Sequence, residues 1–347
     1  MGINHGGSLK VAFKIVDAAK KCGAEIIKHQ TIIPDEDMSS ESKNIKLKAL
    51  GEKNLYDLLK KLSLNEEEEY KLKNYVEKKS MIYLSTPFSR AGVDRLVKIG
   101  VKLFKIGSGE FSNIPLLKYA AKRCERLGIC FHVGSQCLDP TAYKIALQKI
   151  KKITCAANIS IDIIDVGGGF PSLYPGQEPA PLADYFSEIE TALTEISLPN
   201  NFEIWCEPGR ALVAEAGSII VHVDARKNDL LYINDGTYGG LFDAGLLGFR
   251  YPVKCLRKSG SADLKPFIFY GPTCDSLDVM PGPFMLPSDI SEGDYIEIGQ
   301  TGAYSSALRT PFNGFDKLQE AILEDAPMIS MYNSAESATS ALNAGKL

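Results

Sequence analysis

The chain has 347 residues, 45% hydrophobic and 24% charged, values that fit a folded protein with a buried core and exclude extensive disorder. That length holds one barrel-sized domain with a smaller companion, or two ordinary domains. A formal net charge of −4 speaks against a nucleic-acid-binding face, which needs clustered basic residues.

No run of about eighteen apolar residues is present, so no membrane span is expected. The start, MGINHGGSLK, lacks the apolar stretch of a secretory signal, and a cytoplasmic location is expected. The eight cysteines, at 22, 124, 130, 137, 155, 206, 255 and 274, form no CxxC pair, and most are expected as buried thiols. The four histidines, at 5, 29, 132 and 222, show no metal-ligand spacing, and no metal site is expected.

Residues 8–22 read as a helix with Ser8 as N-cap, Gly23 as stop, and Val11, Ile15, Ala18 and Cys22 on its buried face. A strand follows over 25–30. Residues 65–79 read as a charged amphipathic helix, 81–84 and 103–106 as strands, 113–127 as a helix and 129–133 as a strand. Ile161–Val166 runs into Gly167-Gly168-Gly169, and Phe202–Cys206 into Glu207-Pro208-Gly209-Arg210. Short apolar strands with polar or glycine-rich ends, separated by helices, predict an α/β fold, a parallel (β/α) barrel of the TIM type with its site at the strand ends. Beyond Arg210, strand-like stretches at 217–223, 230–234, 266–270 and 294–298 alternate with turns, which predicts a mainly antiparallel β domain. The expected division is a barrel over 1–212, a β domain over 213–332 and a loose tail over 333–347.

The motifs admit more than one reading taken singly. Three successive glycines suit close backbone approach to a phosphate, and equally a tight turn. Glu207 and Arg210 offer a carboxylate and a phosphate-seeking guanidinium, or a plain ion pair. His132 at a strand end is a packed residue or a functional one.

In order, FHVGSQ (131–136), DVGGGFP (165–171), EPGR (207–210), YINDGTYGGLFD (232–243), GPTCDSLDVM (271–280) and GAYSSALRTPFNGF (302–315) resemble the pyridoxal-phosphate-dependent decarboxylases of alanine-racemase-like fold. Residues 129–332 are most like the ornithine/lysine branch. The resemblance implies that pyridoxal 5′-phosphate is the cofactor and that His132 stacks on its ring. It implies that Ser135, Gly167, Gly168, Gly169, Arg210 and Tyr304 serve its phosphate, and that Glu207 pairs with the pyridine nitrogen. Cys274 would return a proton after carbon dioxide leaves, and Asp275 would meet the distal ammonium of a basic amino acid. In that family the GPTCDS segment completes a neighbour's site, so a homodimer is implied. CDS in place of CES favours a diamine-forming substrate, as in polyamine biosynthesis.

Residues 2–119 resemble a second family, the sialic acid synthases, through GINHGGSLKVAFKIVDAAKKCGAEIIKHQT, IYLSTPFS and LFKIGSGEFSNIPLLKYA. There Lys28, Gln30, Lys105 and Ser108 fall on positions that serve phosphoenolpyruvate, although His29 replaces a usual Phe and that family's later metal-binding histidines have no counterpart. The chain reads as a fusion or chimera joined between Lys118 and Gly128. Counting strands back from Phe202 fills barrel slots eight to three, with residues 1–4 as a remnant of slot two. Slot one, which in the decarboxylases carries the lysine bonded to the cofactor, has no counterpart, so the barrel is expected to be incomplete and the cofactor to be held non-covalently. Lys28 and Lys105 are the strand-end lysines that could stand in. Open alternatives are a phosphoenolpyruvate-binding transferase and a non-catalytic dimerising scaffold.

Overall fold

The computed structural model describes residues 1–47, 53–196, 202–257 and 261–332; the expected tail over 333–347 lies outside them. The chain forms two compact units. The first comprises Met1–Val133, Thr141–Gly167 and Glu188–Glu207, and the second Gly134–Pro140, Gly168–Ser187 and Pro208 onward. No helix among the described residues is long and apolar enough to cross a membrane.

The first unit alternates helices and strands. Its elements are α1 (Leu9–Lys21), β1 (Ile26–Thr31), α2 (Pro34–Asp37), a small hairpin of β2 (Lys46–Leu47) and β3 (Lys53–Asn54), α3 (Leu55–Leu62), α4 (Glu66–Lys78), β4 (Ile82–Pro87), α5 (Arg90–Lys98), β5 (Leu103–Ile106), α6 (Ile114–Ala121), β6 (Arg126–Cys130), α7 (Thr141–Ala157) and β7 (Ile163–Asp165). Helix α8 (Leu182–Thr194) then leads to β8 (Glu203–Trp205). Local chemistry sets several boundaries. The Ser8 side chain accepts from Val11 N, and Asn65 with Glu68 forms a reciprocal capping box at the start of α4, satisfying N–H groups that have no partner in the first turn. Four glutamates, Glu66–Glu69, open α4, where negative charge meets the positive end of the helix dipole.

The strands order as β1-β4-β5-β6-β7-β8, every pair parallel. Each sheet strand lies beside the one before it in the chain, which is how a (β/α) barrel winds. Ile26 of β1, Leu84 of β4, Leu103 of β5, Ile163 of β7 and Trp205 of β8 pack in one apolar cluster. Because β1 and β8 are the two ends of the strand order, that shared cluster shows the sheet curled on itself.

Four local expectations are corrected. Of the eight cysteines only Cys130 is buried, since the others lie on helix faces, strand ends and loops that reach the surface. Residues 2–7 form turns rather than a strand in slot two. In α1 the buried residues are Ala12 and Val16, while Val11 is exposed. Two apolar stripes run about 100° apart on this helix, and stacking of Phe13 on Tyr75 of α4 turns the second stripe inward. Helix α6 also ends at Ala121 and not near 127, because β6 begins at Arg126.

The second unit is built on a six-stranded sheet of order β11-β14-β9-β10-β12-β13, with β9 (Ile219–Lys227), β10 (Leu230–Ile233), β11 (Val253–Cys255), β12 (Leu264–Tyr270), β13 (Val279–Pro287) and β14 (Tyr295–Ile298), and short helices α9 (Arg210–Val213) and α10 (Phe242–Leu246). All pairs are antiparallel except β10 with β12. Alternate residues Val221, Val223, Leu231, Ile233, Phe267, Phe269, Phe284 and Leu286 enter a single core, as a half-buried sheet requires. Strands β11 and β13 escape sequence inspection. The first has three residues, and the second, VMPGPFMLP, reads as turns; its prolines are tolerated because β13 is an edge strand.

Phe269 and Phe284 stack with centroids 4.0 Å apart, both fully buried. Phe284→Ala is expected to destabilise this unit by about 3–5 kcal/mol, measurable as a lowered urea midpoint with an unchanged m-value.

Candidate active site

Side chains on a strand repeat every second residue, so the positions two beyond the apolar cluster form the next inward layer. They are Lys28, Thr86, Lys105, Asp165 and Glu207, with Cys130 on β6. Lys105 Nζ lies 2.5 Å from Asp165 Oδ2 and 2.6 Å from Glu207 Oε1, and Lys28 Nζ lies 2.8 Å from the same Glu207 oxygen. The Lys105–Asp165 pair is almost wholly buried, with side chains 4% and 3% exposed, whereas Lys28 and Glu207 are each 39% exposed. The ligand atoms of Cys130, Asp165 and Glu207 lie within 4.8 Å of one another, a spacing suited to a cation, and the Lys105 ammonium supplies one.

Burial by itself would raise the Glu207 pKa, but hydrogen bonds from Lys105 and Lys28 outweigh it and hold the carboxyl at about 2. Burial works against the charge on Lys105, and the Cys130 sulfur and the carboxylates of Asp165 and Glu207 more than restore it, so its pKa lies above the ordinary lysine value. Burial pushes the Cys130 thiol up to about 11. At neutral pH Lys105 is therefore an ammonium, Glu207 a carboxylate and Cys130 an un-ionised thiol.

His132 follows two residues beyond Cys130 and is exposed, as is Ser108 beyond β5. Gly167 follows Asp165, with its N–H bonded to Asp165 Oδ1 at 2.8 Å. Its φ is +70°, and a Cβ there would collide with the Phe131 carbonyl, so this exit needs glycine. His29 faces the helical layer; burial drives its pKa down to about 3, leaving it neutral. Gln30 is half-buried on β1.

In the second unit the loops 134–140 and 168–172 are laced together. Cys137 N bonds Gly169 O at 2.9 Å, and the Gln136 amide both donates to Ser172 O at 2.6 Å and accepts from Ser172 N at 3.1 Å. This places Ser135 beside Gly168 and Gly169. Arg210, at the start of α9, is buried with 3% of its side chain exposed. Its guanidinium donates to Tyr174 Oη at 2.9 Å, Ser135 Oγ at 3.2 Å and Asp243 Oδ2 at 2.7 Å, and its carbon lies 4.8 Å from the Tyr304 ring. Arg210 Nε is buried without a hydrogen-bond partner. A buried guanidinium with a spare donor, beside a serine and glycine backbone, suits a phosphate group.

Cys274 and Asp275 sit on the loop between β12 and β13. Cys274 is exposed, its N–H and sulfur facing Asn313 Oδ1 at 3.4 and 3.5 Å. Asp275 Oδ2 accepts from the Tyr238 hydroxyl at 2.5 Å. Thus Ser135, Gly168, Gly169, Arg210 and Tyr304 fall in one unit, while Lys28, Lys105, His132, Gly167 and Glu207 fall in the other.

Four participants were missed in the sequence. Asp165 and Asp243 stand inside quoted motifs, and Asp165 could have been found by counting two residues back from Gly167. Cys130 was recognisable the same way from His132. Tyr174 belongs to no motif, and only the fold brings it to Arg210.

Because the folded pKa of Glu207 is depressed from 4.5 to about 2, its ion pairs contribute stability that is present above about pH 4.5 and is lost as the pH falls toward 2. Glu207→Gln is therefore expected to flatten the decline of urea stability between those values, with the smallest difference from wild type at the acid end.

Comparison with known proteins places these residues in context. A family model described as the NeuB family matches residues 15–155. Diaminopimelate decarboxylase of Helicobacter pylori is 33% identical over 237 residues, 66% of this chain and 57% of that protein. Lysine/ornithine decarboxylase of Selenomonas ruminantium is 31% identical over 252 residues, 68% of this chain and 63% of that protein. The chain thus spans about three-fifths of the length of these relatives. The crystal structure of lysine/ornithine decarboxylase complexed with putrescine from Vibrio vulnificus superposes with a TM-score of 0.56 at 24% identity, covering 74% of this chain and 80% of that one, a likeness of fold. Residues 129–332 resemble the basic-amino-acid decarboxylases, and the preceding part resembles the sialic acid synthases.

Proposed function

We propose that this chain binds pyridoxal 5′-phosphate and is a decarboxylase-like protein directed at a basic amino acid of the ornithine/lysine type. The observation that carries the reading is the buried Arg210 guanidinium with its spare Nε donor among Ser135, Tyr174, Asp243 and Tyr304. Arg210, Ser135, Gly168, Gly169 and Tyr304 would hold the phosphate, with Gly167 keeping the strand exit narrow. His132 would cover the ring. Glu207 directs one oxygen to both lysines, which leaves the other for the pyridine nitrogen. The cofactor, when bound, supplies an electron sink for the pair released as carbon dioxide departs. Asp275 would receive the distal ammonium of the substrate and Cys274 would donate a proton.

Arg210→Lys keeps the charge and removes the planar fork, so it is expected to weaken pyridoxal-phosphate binding about tenfold or more in a fluorescence titration, while Ser108→Ala leaves it unchanged. Equal affinity for the Arg210 variant would remove the phosphate assignment.

Binding and turnover separate in this reading. Covalent capture of the cofactor aldehyde needs a neutral amine. Lys105 is held as an ammonium between two carboxylates, and Lys28 is engaged by Glu207. Carbon dioxide release from labelled ornithine or lysine by this 347-residue chain is therefore expected to be absent or very weak. Robust release that Lys28→Ala abolishes would overturn this and mark Lys28 as a relocated covalent lysine.

Self-association belongs to the same proposal. Leu277, Leu308, Phe312, Phe315, Leu318 and Ile322 are exposed, Ile322 to 98%, in or near the segments that carry Cys274 and Tyr304. Exposed apolar side chains in such number favour a protein partner, here a second copy of the chain. Light scattering at micromolar concentration is expected to give a dimer mass, and Phe312→Asp with Ile322→Asp to shift it toward the monomer.

A further inference from the structure

We infer that Asp278 is a positioning residue that fixes the Thr273–Cys274–Asp275 turn, and with it the thiol and carboxylate assigned above to proton donation and substrate recognition; the inference rests on that assignment. Asp278 stands outside every role given to the site so far, yet it is one of the least exposed carboxylates, at 2%. Among the described residues it makes no ion pair. Its oxygens instead gather neutral donors: Thr237 N at 2.7 Å, Thr273 N at 3.0 Å and Thr273 Oγ1 at 2.7 Å. Its main chain closes the same turn, the N–H reaching Asp275 O at 3.0 Å and the carbonyl receiving Gly271 N at 2.9 Å.

Burying a carboxylate away from a cation is costly unless several donors converge on it. Here they come from two separate loops, so Asp278 joins the loop before β13 to the loop after β10. The glycines around it fit that purpose. A Cβ at Gly236 or at Gly271 would run into the Asp278 carboxylate, so the backbone of both loops is shaped around this side chain. Next to Thr237, the Tyr238 hydroxyl reaches Asp275, and the Tyr238 ring packs on Phe312 with centroids 4.7 Å apart. Asn313, the following residue, faces Cys274. Cys274 and Asp275 are thereby held from three sides, with the Asp278 hydrogen bonds as the buried anchor. A proton donor displaced by about 1 Å loses much of its effect, which gives such an anchor a functional purpose beyond closing a turn.

The test reads the environment of Cys274 directly and needs no cofactor. The rate of iodoacetamide alkylation at Cys274 is followed by peptide mass spectrometry, with the exposed Cys22 and Cys155 as internal references. Thr273→Val removes one donor to Asp278, Thr273→Ser retains it, and Asp278→Asn keeps the shape while removing the charge. Thr273→Val and Asp278→Asn are expected to change the Cys274 rate about fivefold or more, the order set by one hydrogen bond. The reference rates should stay constant, and Thr273→Ser should match wild type. An unchanged Cys274 rate in Thr273→Val and Asp278→Asn overturns the inference. So does a Thr273→Ser rate equal to that of Thr273→Val, or equal acceleration of all three cysteines. Should the protein fail to bind pyridoxal phosphate, the functional reading falls while this measurement still reports on Asp278.

Discussion

The two ends of the first unit's strand order must meet without a shared ladder, and Lys28 and Glu207 mark where they do. These residues belong to the two ends of the strand order, which no backbone ladder joins among the described residues. A parallel sheet with two open edges exposes unpaired peptide groups, and a (β/α) barrel avoids this by closing its ladder. In this chain the approach of the ends is marked by side chains: an apolar layer containing Ile26 and Trp205, and above it the layer in which Glu207 bridges Lys28 and Lys105. Lys28 and Glu207 are partly exposed, so their own attraction is modest. Lys105 and Asp165 are buried, so that pair resists being broken.

The same layer governs the chemistry at the strand exits. His132 and Gly167 each follow one inward position beyond it, and Glu207 is part of it. A carboxylate held at about 2 stays ionised throughout the physiological range, which suits a partner for a protonated ring nitrogen. The lysines that keep it so are thereby occupied. In the proposed function, this one arrangement would support cofactor recognition and withhold the free amine that turnover requires. In the second unit, Arg210 with Asp243 repeats the logic, since a buried ion pair fixes a guanidinium whose remaining donor points to a ligand role.

The join between the two resemblances is carried by ordinary backbone geometry. Strands β5 and β6, where the two resemblances meet, pair in unbroken parallel register, Leu103 with Arg126 through Ile106 with Ile129, and the NeuB family match itself runs through both, over residues 15–155. A parallel ladder reads backbone spacing and not side-chain identity, so the change of resemblance need not disturb it.

Much of this was written locally in the chain. Helix caps at Ser8 and Asn65, the alternation of strands with helices, and the glycine-rich exits are short-range signals, and they sufficed for the fold class; the phosphate role proposed for Ser135, Gly168, Gly169 and Arg210 came from the motif resemblance. The buried stripe of α1, the proline-rich β13, and the partnerships of Tyr174 with Arg210 and of Asp278 with Thr237 were settled only by tertiary structure. In each case the deciding contact joins residues far apart in sequence or chooses between two equally apolar faces, and no local propensity distinguishes the outcomes. The role of Glu207 shows the division best. Its place in EPGR marks it as a candidate, but that it spans the ends of the sheet, between lysines 179 and 102 residues away, follows only when the strands curl and their inward side chains meet.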